Sequence, residues 1–543
     1  MPEQGLESYP SPRGRAVVAL THPPEYRLHK YWTRKPANVL ADYLTRLMES
    51  ESRVVDPFAG SGVLLREAAA LGHNVIGFDV NPIAVTLSRV TLDPPEVGDF
   101  EVAARSLIAA VEGPSDAAFL TASGERVRYV VHSGVTVCPA CSEDVVVERA
   151  VRRGRSYSCP ACGAMIRFNL RSITRTEVVE VVLASGAVVH EPDELRRQSR
   201  LSSQPAAPTS SDPYVQRLVV NRRTLTHDGL TTADYFTARN LSLLAAGFAH
   251  ADGVPDERLR NALLLMLTGA VAQCSRLIPY RQGMTGGGPA WSVPGFWVPP
   301  VHLESNPLSH LTARARKMTS GIKALTIPRL ADRTSIEQCR AEEGLRRLAS
   351  EGQEADLIFL DPPYGDSVPF LEFSALWNAF LRQTPRLEDD MSVSDRLDQP
   401  MTWASYELRL TEVLGLCDRV LASEGKLLVT FNNNDLRAWK ALLGALQASG
   451  FAASEVTYQA PAVVPAKAQF SPTGSYVGDL FVVADRRGRH PVDPDDVRPH
   501  VMAALSRCAS ARDGLVAPNL ARRTSLATWL LRNGRAEDIT RVD

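Results

Sequence analysis

The sequence predicts a doubly wound, Rossmann-like α/β fold interrupted by a large insertion, and three observations predict it. Two strand-like runs, Arg53-Val54-Val55-Asp56 and Asn74-Val75-Ile76-Gly77-Phe78-Asp79, flank a helical pattern over residues 61–71. A further helix is expected from Pro82, whose fixed torsion suits a first helical turn. Such alternation implies a parallel sheet with crossover helices. The same logic returns at Asp356-Leu357-Ile358-Phe359-Leu360, so the two halves belong to one sheet. Between them the chain carries paired cysteines and then a helical stretch, neither of which belongs to such a sheet.

Taken in order, residues 1–28 are turn-rich, and 29–50 read as helical ahead of the first strand. From 99 to 189 the sequence reads as short β segments, with Val-rich runs at 145–147 and 177–183. A Ser/Pro/Ala stretch at 199–213 has the composition of a linker. Helical patterning covers 232–277, followed by a Gly-, Trp- and Pro-rich loop up to Pro300. After the 356–360 strand come a strand at 426–431, a helix at 435–449 and closing strands at 455–459 and 476–485. The expected divisions are 1–98, the first half of the sheet domain; 99–231, the cysteine-bearing insertion; 232–325, the helical region; 326–485, the second half; and 486–543, a helical tail.

With 543 residues, 44% hydrophobic and 22% charged, the composition is that of an ordinary globular protein, which excludes a collagenous or mainly disordered chain. The best apolar run, 262–272, is too short for a membrane span, which takes about 18 residues. The polar, proline-containing residues 1–14 have no apolar signal core, so a cytoplasmic protein without membrane partners is expected. Lys plus Arg total 60 against 61 Asp plus Glu, so any polyanion must be held by a local patch. Seven of the 60 basic residues are lysine, an arginine bias that suits phosphate contacts and equally reflects a GC-rich genome.

Four of the eight cysteines form one pattern, Cys138-Pro-Ala-Cys141 and, 17 residues on, Cys159-Pro-Ala-Cys162. This is the spacing of a zinc ribbon, with each pair on a tight knuckle. A pair of disulfides is the alternative, disfavoured in a reducing compartment. Four thiolates would leave no open coordination position, so the expected Zn2+ is structural. Nine arginines against three acids between 126 and 175 give the insertion a basic surface suited to DNA, or one that is merely solvated.

Two motifs carry the chemistry. Asp56-Pro57-Phe58-Ala59-Gly60-Ser61-Gly62 leaves a strand and opens a helix, so glycines allow close backbone approach and the helix N-terminus offers free N–H groups. Alone it is equally a bare tight turn. Asp79, ending the next strand, can accept hydrogen bonds from both hydroxyls of a ribose, and no GxxxxGK[ST] phosphate loop is present. Asp361-Pro362-Pro363-Tyr364 ends a later strand and joins a carboxylate, a carbonyl fixed by two prolines and an aromatic face. That set suits an exocyclic amino group on a flat base; the plainer alternative is a strand stop with Tyr364 packing.

Together with Phe78-Asp79-Val80-Asn81-Pro82, these motifs resemble the S-adenosylmethionine-dependent DNA amino-methyltransferases, and more narrowly the adenine-specific DNA methylases that contain a zinc ribbon. His29-Lys30-Tyr31-Trp32-Thr33-Arg34-Lys35-Pro36 is similar to the family segment that closes over the methionine end of the cofactor. Asp234-Tyr235-Phe236-Thr237-Ala238-Arg239 is similar to the signature that opens the family's central helical region. The resemblance implies that Lys35, Pro36, Asp56, Phe58, Gly60, Gly62, Asp79 and Asn81 surround S-adenosylmethionine. It further implies that Asp361, Pro362, Pro363 and Tyr364 hold a flipped adenine of duplex DNA, with Cys138, Cys141, Cys159 and Cys162 on Zn2+. Asp332 is the candidate for the acidic residue that contacts the cofactor adenine. Target recognition is expected in the insertion, and a restriction or phage-defence partner is implied. RNA as the polymer, cytosine N4 as the target, and a ribbon subunit without catalysis remain the competing readings.

Overall fold

The computed structural model describes residues 16–49, 51–154, 156–167, 173–204, 212–280, 295–325, 331–397, 401–433, 435–462 and 478–486. The expected C-terminal tail, most of the Gly/Trp/Pro loop and the middle of the Ser/Pro/Ala stretch lie outside these residues.

The first half follows the sequence closely. Helix α1 (Ala37–Leu47) precedes β1 (Arg53–Asp56), α2 (Val63–Ala70), β2 (Asn74–Asp79) and α3 (Pro82–Leu92). Helix α1 is shorter than the expected 29–50 because Pro36 caps it, and a residue before proline is driven out of the helical region. Residues 29–36 therefore form a non-helical strap.

The insertion departs from expectation at its start. Where short β segments were expected from 99, the chain forms α4 (Val97–Phe119), with Phe100, Ala104, Leu107 and Val111 buried at helical spacing. The 98/99 division thus falls inside a helix. Strands β3 (Val127–Val137), β4 (Asp144–Val146), β5 (Val151–Arg153), β6 (Ser156–Ser158), β7 (Met165–Ile166), β8 (Arg175–Leu183) and β9 (Val188–Val189) follow. Next come α5 (Pro192–Ser202), α6 (Ala238–Asp252), α7 (Glu257–Val271), β10 (Val301–Ser305) and α8 (Pro307–Ala324). Strand β10 pairs antiparallel with β3, so a strand from beyond residue 231 completes the sheet of the cysteine-bearing region. The expected 231/232 division separates nothing structurally.

The second half comprises β11 (Thr334–Gln338), α9 (Ala341–Ser350), β12 (Ala355–Leu360), α10 (Phe370–Phe373), α11 (Ala375–Phe380), α12 (Trp403–Val420), β13 (Leu421–Phe431), α13 (Leu436–Ala448), β14 (Phe451–Gln459) and β15 (Asp479–Arg486). These join the first half in a seven-stranded sheet of order β11-β2-β1-β12-β13-β15-β14. Strand β15 alone runs opposite to the other six. Alternation along β12 explains the double winding. Leu357 and Phe359 pack with Leu40, Leu44 and Leu65 of α1 and α2 on one face. Ile358 and Leu360 pack with Leu345, Leu414 and Leu442 of α9, α12 and α13 on the other.

The insertion shares a core with the sheet domain. Ile83, Leu87 and Val90 of α3 are buried with Leu107, Leu244, Leu263 and Leu267 of the inserted helices and with Trp377 and Phe380 of α11. An ion pair in its interior ties helices to sheet: Arg239, 1% exposed, donates from Nε at 3.0 Å and Nη2 at 2.6 Å to Glu304 of β10. His132 of β3 and Ser202 of α5 also reach Glu304, at 2.8 and 2.7 Å. The sequence signature ending in Arg239 is thus an internal brace.

Candidate functional site

Strands β1 and β12 are hydrogen-bonded neighbours, yet the chain leaves them in opposite directions, towards β2 and towards β13. This is the topological switch point, beyond which open α/β sheets bind ligands. A crevice of about 900 Å³, open solvent at its mouth included, lies there. Its lining includes Tyr31 to Lys35, Asp56 to Ser61, Asp79 to Asn81 and Asp361.

The glycine turn is shaped as the spacing requires. Gly60 and Gly62 take φ of +52° and +73°, a left-handed region costly to other residues. A Cβ on Gly60 would stand 3.4 Å from the Tyr31 ring, in the space of the crevice, whereas one on Gly62 would meet Ser88 Oγ at 2.6 Å. Gly60 therefore keeps a ligand surface open, and Gly62 packs α2 against α3. Asp79 accepts from the Gly60 N–H through Oδ2 and from the Asn81 N–H through Oδ1, both at 2.8 Å. Burial raises its pKa to about 6 despite these two bonds. Asp56, 2% exposed, accepts from the Phe58 N–H at 3.1 Å, and burial pushes its carboxyl well above the usual range. The Asn81 side chain is engaged by Ser374 and Asn378, at 2.8 and 3.1 Å, so it backs the crevice and is not free for a ligand.

Across the switch point, Asp361 Oδ1 accepts from the Tyr364 and Thr430 hydroxyls, each at 2.6 Å, and lies 3.2 Å from Lys35 Nζ. Its Oδ2 has no protein donor among the described residues. Lys35, 5% exposed, also contacts Asp479 at 3.1 Å and donates to the Tyr364 hydroxyl at 2.6 Å. Burial alone would lower the Lys35 pKa; Asp361 and Asp479 more than offset it and the net direction is up. Pro362 is buried, and no hydrogen bond to its carbonyl is made among the described residues, whereas the Pro363 carbonyl is taken by Gly365 N–H and the Tyr406 hydroxyl. Tyr364 turns inward, its ring 5.0 Å from that of Phe431, and does not line the crevice.

The strap crosses the mouth through aromatic contacts. Trp32 packs on Phe373 and Trp377 at 5.5 and 4.8 Å, and Tyr31 stacks on Phe370 at 6.3 Å. Pro36 instead borders a neighbouring cleft.

One expected residue is misplaced. Asp332 lies in a turn before β11, and Arg333 beside it donates to the Gly72 carbonyl ahead of β2. That is the amino end of the parallel strands, whereas the crevice lies beyond their carboxyl ends, so Asp332 cannot reach a ligand there. Cys339, Ala341 and Glu342, just beyond the carboxyl end of β11, line the crevice instead. Sequence reasoning missed β11 altogether because Thr-Ser-Ile-Glu-Gln has little apolar character. It also missed Asp479 and Thr430, which stand in no local motif.

In the insertion, the sulfurs of Cys138, Cys141, Cys159 and Cys162 all lie within 4.8 Å of one another, a group able to hold a metal ion. Cys138 and Cys141 lie between β3 and β4, and Cys159 and Cys162 between β6 and β7 of the three-stranded sheet β5-β6-β7. Of the insertion's arginines, Arg126 and Arg175 are paired with Asp116 and Asp144, while Arg152 and Arg153 are exposed on β5.

Sheet order and crevice together fit a methyltransferase fold. A family model described as DNA methylase matches residues 11–89, the stretch that carries the strap, β1, the glycine turn, β2 and most of α3. The match supports a DNA methyltransferase family, one that covers both amino-group targets, adenine N6 and cytosine N4. Comparison with curated proteins gave no match. No helix among the described residues is long and apolar enough to cross a membrane.

Proposed function

We propose that the chain transfers a methyl group from S-adenosylmethionine to the exocyclic N6 of adenine in DNA. The observation that carries this reading is that Asp79 and Asp361 open onto one crevice at the switch point, with Asp361 Oδ2 lacking a protein donor.

The residues fit the cofactor. The space that a Cβ on Gly60 would fill, the N-terminus of α2 and the Asp79 carboxylate suit a nucleoside, and Cys339 and Ala341 offer a wall for its base. S-adenosylmethionine, when bound, supplies an electrophilic methyl group on a positively charged sulfur. Asp79, ionised above about pH 6, adds a carboxylate to the crevice that suits a cationic ligand.

An adenine amino group is a weak nucleophile because its lone pair is delocalised into the ring. Asp361 Oδ2 and the Pro362 carbonyl accept its two N–H bonds and favour the pyramidal amine. Lys35 and Thr430 hold Asp361 in place, so the chain contributes position and electrostatics. The proton released after transfer goes to Asp361 or to water. Extrusion of the base from the duplex is required to reach this depth. Adenine is preferred over cytosine because an aspartate, in place of the serine often found in cytosine-N4 enzymes, heads the tetrapeptide. The four-cysteine group is assigned to one structural Zn2+.

The test is transfer of labelled methyl groups from S-adenosylmethionine to duplex DNA and, separately, to RNA, with digestion to nucleosides. The expected product is N6-methyldeoxyadenosine. Label on cytosine N4 would overturn the base assignment, and label in RNA alone would overturn the polymer.

A further inference from the structure

A second cleft, of about 1790 Å³ with open solvent included, opens beside Asp361 and shares Arg34 with the crevice already described. Its walls come from the strap and the segment before it, from α8 of the insertion, and from the ends of β14 and β15. Five cations line it: Arg27, Lys30, Arg34, Arg314 and Lys317. None of them pairs with a carboxylate among the described residues. The one acid in the lining, Asp479, faces Lys35 at 3.1 Å, so five cations stand against a single carboxylate that is itself ion-paired. In a chain whose formal charge is −1, this is a concentrated and unbalanced positive surface.

Two of the cations are partly buried as well as unpaired. Arg34 donates from its two terminal nitrogens to the Tyr26 and His29 carbonyls, and Arg314 donates to the Leu28 carbonyl. These bonds pin the strap, but the Nε of each arginine is left without a partner. Burial lowers the pKa of both guanidinium groups to about 10. Burying a cation without an anion is unfavourable unless something supplies the charge. Arg27, Lys30 and Lys317 are exposed at the rim, where an incoming polyanion would meet them first.

We infer that this cleft holds the phosphate backbone of the DNA strand that carries the target base. The inference rests on the reading of the chain as a DNA-modifying enzyme. Position supports it, because Asp479 of the cleft is joined through Lys35 to Asp361, at 3.1 and then 3.2 Å. A nucleotide whose base lies at Asp361 has its own phosphates within one nucleotide's length of that centre. The cleft draws on both the strap and the insertion, so the strand would be gripped where the two meet. The basic surface of the cysteine region would then serve sites farther along the duplex.

The experiment measures equilibrium binding of the full chain to a mixed-sequence duplex containing adenines, across a range of salt concentrations. Lys30→Gln with Lys317→Gln is compared with wild type and with Arg152→Gln plus Arg153→Gln on β5, and cofactor affinity is measured by calorimetry as a control on folding. Each phosphate contact contributes about 0.9 to the slope of log affinity against log salt, so the lysine pair should reduce the slope by about two and weaken binding to every sequence. Lys317→Glu alone should weaken it further than Lys317→Gln. Unchanged affinity and slope in the lysine variants, with a wild type that binds and methylates DNA, would overturn the cleft and leave the proposed function standing. Wild-type binding confined to RNA would overturn both.

Discussion

Asp79 is a carboxylate that burial holds near pKa 6 while two backbone N–H groups fix its orientation. If the ionised form accepts the ribose hydroxyls, cofactor affinity should be flat above pH 7 and fall about tenfold per unit once pH drops below that pKa. Calorimetry across pH 5 to 8 reads this directly, and Asp79→Asn should abolish the dependence together with most of the affinity. The linkage sign for the free protein is the opposite. A folded pKa above the ordinary 3.8 means that this group stabilises the fold at low pH, and the contribution is lost as pH rises through about 6. Tyr364 makes a second prediction. Its hydroxyl bridges Lys35 and Asp361, so Tyr364→Phe removes that bridge and keeps the ring on Phe431. Turnover should fall modestly with Phe and severely with Ala, while cofactor affinity stays close to wild type in both. Asp56, Asp79 and Asp361 were legible because each ends a strand beside a short local pattern. Asp479 and Thr430 were not, since their roles exist only once distant strands pair.

At the scale of elements, little apolar material holds the region around the four cysteines. Its buried core comprises Cys138, Val145, Ala150, Cys159 and Ile166, too small to fold by burial alone. Purified protein should therefore carry about one zinc per chain by the four-thiolate logic. Cys138→Ser should lose that metal and disturb the four-cysteine region while leaving cofactor binding intact; metal analysis paired with calorimetry checks both. Metal-free protein of full stability would reject the assignment. The Arg239 brace is a different kind of element, an ion pair closed off from water. Removing one partner of such a pair costs about 3–5 kcal/mol, so Arg239→Ala should lower the unfolding midpoint more than any surface arginine change. Helix α4 was missed although its apolar spacing is helical, because valines and cysteines farther along drew the whole region towards a β reading.

On the scale of the whole molecule, the insertion leaves the sheet after α3 and returns at β11, next to β2, so its departure and return lie on one side of the switch point. The Asp361 cluster is built on the other side, from β12, β13 and β15, with Lys35 of the strap between them. Sheet class and the order of the two motifs could be read from the chain because parallel strands need local apolar runs and local turns. The assembly of insertion and sheet around one core could not, because it depends on which helix faces find each other. Asp361 is assigned to the target base and Asp79 to the cofactor, although both face one crevice. The most direct measurement pairs calorimetric S-adenosylmethionine affinity with labelled methyl transfer to duplex DNA, for wild type and Asp361→Ala. The expected result is near-equal affinities, label on deoxyadenosine from wild type, and none from the variant. Equal transfer by both proteins, or no transfer to DNA from a folded wild type that binds the cofactor, would contradict it.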